Sequence, residues 1–200
     1  MRRSMLLTLA LLALLALWSA AASRAAEAGR QAVDATQPPA PTCKPRVLEN
    51  DGAVDISAGA WNATCVPGRG CSLSGPEANG ARLQLVRQVG EKGWRLVLGL
   101  PVAADVMAGL QLALDGGAAE NLPGEFLQEQ AEGRAIALRP EVAGVVLEML
   151  TGAKRQATWH YTTKGGEARR FSFPVACLPV VLKAAQQRLA TMRAMKQLGK

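Results

Sequence analysis

Hydrophobic and polar positions alternate in short bursts along most of this chain. Arg82-Leu83-Gln84-Leu85-Val86-Arg87-Gln88-Val89 puts Leu83, Leu85 and Arg87 on one face, the imperfect alternation of a half-buried strand. Trp94-Arg95-Leu96-Val97-Leu98 follows the turn Glu91-Lys92-Gly93, so the two runs read as an antiparallel hairpin. Similar runs are Trp61–Val66, Cys71–Leu73, Leu110–Leu114 before Asp115-Gly116-Gly117, Glu125–Gln130 and Arg134–Leu138. Thr158–Tyr161 then joins Arg169–Pro174 through Lys164-Gly165-Gly166. Short strands with glycine-rich turns between them predict a mainly-β, antiparallel sandwich.

Two segments depart from the period of two. Within Glu141–Leu150, Val142, Val145, Val146 and Met149 recur at helical spacing, which fits a short helix between strands. Near the end, Pro179 stands where a helix begins. Leu178, Val181, Leu182, Ala185, Leu189 and Met192 form one apolar stripe, so a helix over 178–198 docks on the sandwich. Lys196 falls on the same face, and packing therefore fades in the last turns.

The first residues have a different logic. Arg2 and Arg3 precede the apolar run Met5–Trp18, followed by small residues through Ala22 and by Ala26-Glu27-Ala28. A basic flank, a short apolar centre and small residues predict a secretory signal peptide over 1–28, cleaved after Ala22 or Ala28. The run is too short to span a bilayer comfortably. Residues 29–54, rich in Ala and Pro as far as Pro41, read as a flexible leader, leaving 55–200 as the folded domain. The expected location is the periplasm or the outside of the cell. Arg outnumbers Lys sixteen to seven, a bias that fits a GC-rich bacterial genome.

Charge sharpens the partner question. The formal net charge is +7 over 200 residues, but residues 29–177 carry equal numbers of acids and bases. The surplus of the exported part lies in Lys183, Arg188, Arg193, Lys196 and Lys200. A basic surplus confined to one terminal segment, without interleaved aromatics, argues against nucleic acid. These five residues are candidate interaction positions for an anionic envelope surface. They are distributed around the helix, which favours docking of that helix on the sheet over a membrane-facing role.

The four cysteines, Cys43, Cys65, Cys71 and Cys177, all lie in the exported part, and an even count there favours two disulfides. Cys65 and Cys71 flank Val66-Pro67-Gly68-Arg69-Gly70, so their bond staples a hairpin. Cys43 and Cys177 pair by elimination. No C-x-x-C is present, and the spacing lacks the paired knuckles of a zinc site, so neither redox nor metal chemistry is expected.

Catalytic constellations are sparse. His160 is the only histidine, and alternation in Trp159-His160-Tyr161 sends it to the face opposite the two aromatics. Glu125, Glu129 and Glu132 are the one set of carboxylates that could work as a glycosidase pair, but few aromatics lie near them to form a sugar platform. Gly116-Gly117 and Gly165-Gly166 open no helix and read as turns rather than phosphate loops. A non-catalytic role without cofactor is the expectation, with a hydrolase using His160 or the glutamates as the minor alternative.

Trp61-Asn62-Ala63-Thr64-Cys65 followed by Cys71-Ser72-Leu73 resembles the opening of the invasion-associated locus B proteins, an exported bacterial family. The likeness continues, in order, through Gly99-Leu100-Pro101-Val102, Gly109–Gly117 and Phe171-Ser172-Phe173-Pro174-Val175 before a terminal helix, about residues 59–190. The resemblance implies an immunoglobulin-like β-sandwich in the periplasm or on the cell surface, with no known enzymatic activity. One departure stands out. The family carries a close C-x-x-G-C pair after its Asp-Gly-Gly strand, whereas this chain reads Gln130-Ala131-Glu132-Gly133-Arg134. Cys43 and Cys177 supply a different second bridge. The expected function is an exported module that binds another envelope protein, and the alternative is peripheral attachment through the basic helix.

Overall fold

A computed structural model describes residues 42–198. The predicted signal peptide and the first part of the predicted leader lie outside the described residues. The strands are β1 (Arg46–Asn50), β2 (Ala53–Ala58), β3 (Trp61–Val66), β4 (Gly70–Ser74), β5 (Arg82–Gln88) and β6 (Arg95–Gly99). They continue as β7 (Leu110–Leu114), β8 (Ala119–Leu122), β9 (Leu127–Gln130), β10 (Ala135–Leu138), β11 (Gln156–Thr162) and β12 (Ala168–Pro174). Among the described residues two α-helices, α1 (Pro140–Gly152) and α2 (Leu178–Leu198), and three short 3-10 turns complete the order. The architecture is mainly β, two antiparallel sheets with a C-terminal helix, as the spacing of short strands predicts.

The large sheet has eight strands in the order β1-β2-β3-β4-β5-β6-β10-β9. Its first six form a meander, each pairing with the next in the chain. The small sheet runs β12-β11-β7-β8. Alternation decides which side chains meet. Val54, Ile56, Trp61, Ala63, Leu73, Leu83, Leu85, Leu96 and Leu98 all point inward from the large sheet, and Leu110, Leu112, Trp159, Phe171 and Phe173 from the small one. Trp61 joins the two sheets: its ring meets Phe173 edge-on at 6.1 Å, and its indole N–H donates to the Pro174 carbonyl at 2.8 Å.

The apolar stripe of α2 is buried along its length from Leu178 to Met192, and the helix packs over β2, β3 and β4. Burying such a stripe, at about 1.5–3 kcal/mol for each large aliphatic side chain, is what holds the helix on the sheet. α1 begins with Pro140 in its first turn and buries Ala143, Val146 and Leu150. Of the residues at helical spacing, Val146 is buried and Val142 and Met149 pack partly buried against the core, whereas Val145 is 58% exposed.

Three boundaries differ from the sequence expectation. The folded domain starts before residue 55: β1 and the first residues of β2 lie inside the stretch read as a leader, and Cys43 is bonded to the domain. All five residues of β1 are exposed, so no alternation marks it. Its strand character comes from pairing with β2 across the two-residue turn Asp51-Gly52, whose φ values of 47° and 81° give the mirror-type turn that Asp-Gly favours. Secondly, the strand expected over Glu125–Gln130 starts only at Leu127, after a 3-10 turn over Gly124–Phe126. Finally, β8 has no buried residue and pairs at the edge with β7, so no pattern announces it.

Candidate functional site

Both disulfides form as paired in the sequence reading. Cys65 and Cys71 face each other across the β3–β4 ladder, and the bond closes that hairpin. Gly70 turns the chain there with φ 136°, and a Cβ on it would collide with the Arg87 carbonyl oxygen. Only glycine fits that close approach. Cys43 and Cys177 tie the segment before β1 to the residue preceding α2, a separation of 134 residues. Two disulfides in one small domain point to an oxidising, extracytoplasmic environment. Among the described residues no helix is long and apolar enough to cross a membrane.

The candidate interaction residues of the C-terminal helix divide by role. Lys183 is exposed. Arg188 is half-buried and forms an ion pair at 3.7 Å with the exposed Glu49 of β1. Arg193 donates to the Glu91 carbonyl and so anchors the β5–β6 turn. Arg87, on the core side of β5, donates to the same carbonyl at 3.2 Å. Burial, and then the Arg193 guanidinium, hold Arg87 below its ordinary pKa, while Glu91 acts the other way. Arg188 and Arg193 are thus occupied by contacts within the fold. The Lys196 side chain and Lys200 lie outside the described residues.

His160 sits on the outer face of the small sheet, as alternation requires, while Trp159 and Tyr161 are buried. It lies directly between Gln111 of β7 and Arg170 of β12. These residues, with the small Ala108, Gly109 and Ala168, line a cleft of about 360 Å³ that also includes Tyr161, Thr162 and Arg169. No carboxylate is among the lining residues. A second depression of about 210 Å³ shares Tyr161, Arg169 and Arg170 and adds Pro101, Val102 and Phe171. Burial raises the Tyr161 pKa, with Arg169 opposing it. Arg169 is paired with Glu167 at 2.6 Å, whereas Arg170 has no ion pair among the described residues.

The three glutamates sit on three successive pieces of chain: Glu125 in the turn before β9, Glu129 in β9, and Glu132 in the turn after it. Glu129 is bound by Lys164 at 2.6 Å, which neutralises it. None of the three lines the His160 cleft. Among the described residues no three His, Cys, Asp or Glu side chains group as a metal site. The segment Gln130–Arg134 forms the β9–β10 turn. The β11–β12 hairpin that sets Arg170 beside His160 is legible in the sequence; what sequence reading missed is Gln111, because β7 is not adjacent to β11 in the chain.

No family model, no curated protein and no solved structure matches this chain.

Proposed function

We propose that this is an exported, non-catalytic protein of the bacterial envelope, acting in the periplasm or outside the cell as a protein-interaction module akin to the invasion-associated locus B proteins. The signal peptide over 1–28 delivers it there, and the two disulfides suit that compartment. The observation that carries the interaction role is the set of open sheet edges. β1, β9, β12 and β8 each end a sheet, and β1 turns Val47 and Leu48 outward, 53% and 46% exposed. Open edges offer unpaired backbone groups to another chain. Attachment to an anionic surface through the C-terminal helix is the weaker reading, because Arg188 and Arg193 are engaged within the fold.

The test is a crosslinking pull-down of the tagged protein from its own envelope, eluted stepwise with salt. A defined protein partner that survives high salt supports the interaction module. Release of all bound material at moderate salt favours electrostatic attachment, since exposed charge contacts are screened. Capture of nothing under either condition counts against both readings.

A further inference from the structure

Of the four open edges, β12 is the longest at seven residues, and its chemistry is the most specific. The hydrogen-bond phase of its ladder with β11 is fixed at both ends. Thr163 donates to the Glu167 carbonyl at 2.8 Å, and Val175 donates to the Arg155 carbonyl at 2.9 Å. Hydrogen-bonded pairs alternate along an antiparallel ladder, so 161/169, 159/171 and 157/173 bond in the same way. The N–H and C=O of Ala168, Arg170 and Ser172 therefore point away from β11, toward the open side. The Pro174 carbonyl points the same way and is taken by the Trp61 indole, which closes that end of the edge. Among the described residues nothing bonds the backbone of the other three.

Charge completes the pattern. Arg169 and Arg170 belong to both neighbouring depressions, and neither depression is lined by a carboxylate. Arg170 stands beside His160 on the outer face, without an ion pair. The other edges lack this combination. β1 is preceded by Pro45 and its Glu49 is held by Arg188; β8 carries Glu120; on β9, Glu129 is bound to Lys164.

Resting on the protein-interaction reading above, we infer that an extended, acidic polypeptide segment of a partner adds as a strand to β12 along Ala168–Ser172. One of its carboxylates lies against Arg170. The backbone bonds supply affinity without regard to sequence, and the arginine with the adjoining cleft supplies the preference for acid.

The test selects peptides from a random linear library on the full chain with both disulfides formed, then measures the enriched peptides by fluorescence anisotropy. The expected result is an acidic consensus whose binding falls at least about tenfold on Arg170→Glu, an exposed position whose reversal leaves the core untouched. Two copies of the best peptide, N-methylated on alternate sets of amides, test the backbone bonds without altering the protein: one copy keeps its affinity and the other loses it. Enriched peptides without an acidic consensus, or peptides that bind Arg170→Glu and both methylated copies equally well, overturn the β12 site. They leave the interaction module standing with a different surface. Enrichment of nothing also overturns the site, and the envelope pull-down then decides the broader reading separately.

Discussion

Asp115 joins two distant stretches of chain with one carboxylate. One of its oxygens accepts the Lys154 N–H at 2.8 Å, and the other accepts those of Arg155 at 2.7 Å and Gln156 at 3.0 Å. This fixes the start of β11 beside the end of β7. The Lys154 backbone bond, with those of Gln156 and Arg155, holds the Asp115 carboxyl below the ordinary carboxylate value, against a smaller cost of burial. A depressed folded-state pKa adds stability that is complete above the unfolded value of about 3.9 and is lost as pH falls through the folded value. Asp115→Ala is expected to cost about 1 kcal/mol at neutral pH, the scale of a lost cap on a solvent-facing site. Urea unfolding should show that difference narrowing as the pH is taken below the carboxylate range, and a constant difference would contradict the assignment. Asp115-Gly116-Gly117 is legible as a turn in the sequence. Its bonds to a segment some 40 residues later are not, because nothing local encodes them.

At the scale of elements, legibility follows burial. α2 is readable because its inward face is one continuous apolar stripe, β6, β11 and the second half of β12 because their inward positions alternate, and β5 because it does so over Leu83 and Leu85. β1 and β8 escape because pairing alone makes them strands, with no buried side chain to leave a pattern. α1 lies between these cases. Its apolar spacing fits a helix, and Val142, Val146 and Met149 of that stripe pack, but the buried centre is Ala143, Val146 and Leu150, and Val145 lies on the exposed margin. Adjacent substitutions separate the buried centre of the helix from its exposed margin. Val146→Ala removes fully buried methyls and is expected to cost about 2 kcal/mol, toward the low end of large-to-small changes in a core. Val145→Ala, at a position 58% exposed, should stay within about 0.5 kcal/mol. Equal losses in thermal or urea unfolding would place the packed face elsewhere. The candidate cleft obeys the same rule: the alternation that puts His160 outside and the hairpin that sets Arg170 beside it are local, but Gln111 reaches it only through the order of the sheet.

For the whole molecule, the two disulfides act on very different lengths of chain. Cys65–Cys71 spans a separation of 6 residues, within a hairpin that its own ladder already closes. Cys43–Cys177 spans 134 and joins the approach to β1 with the start of α2. Loop-closure entropy assigns about 2 kcal/mol to the short loop and about 5 kcal/mol to the long one, the latter as an upper figure because unfolded chains retain structure. Cys43→Ser with Cys177→Ser should therefore lower the urea midpoint further than Cys65→Ser with Cys71→Ser. A local effect should accompany the global one. β1 buries no side chain and is held by its ladder with β2 and by this bridge just upstream. Hydrogen exchange in β1 should thus quicken in the Cys43/Cys177 variant, relative to the global change, and remain native-like in the Cys65/Cys71 variant. The opposite ranking would mean that β1 is held by its ladder alone. In that case the long bridge would act on the unfolded chain rather than on the edge of the native sheet.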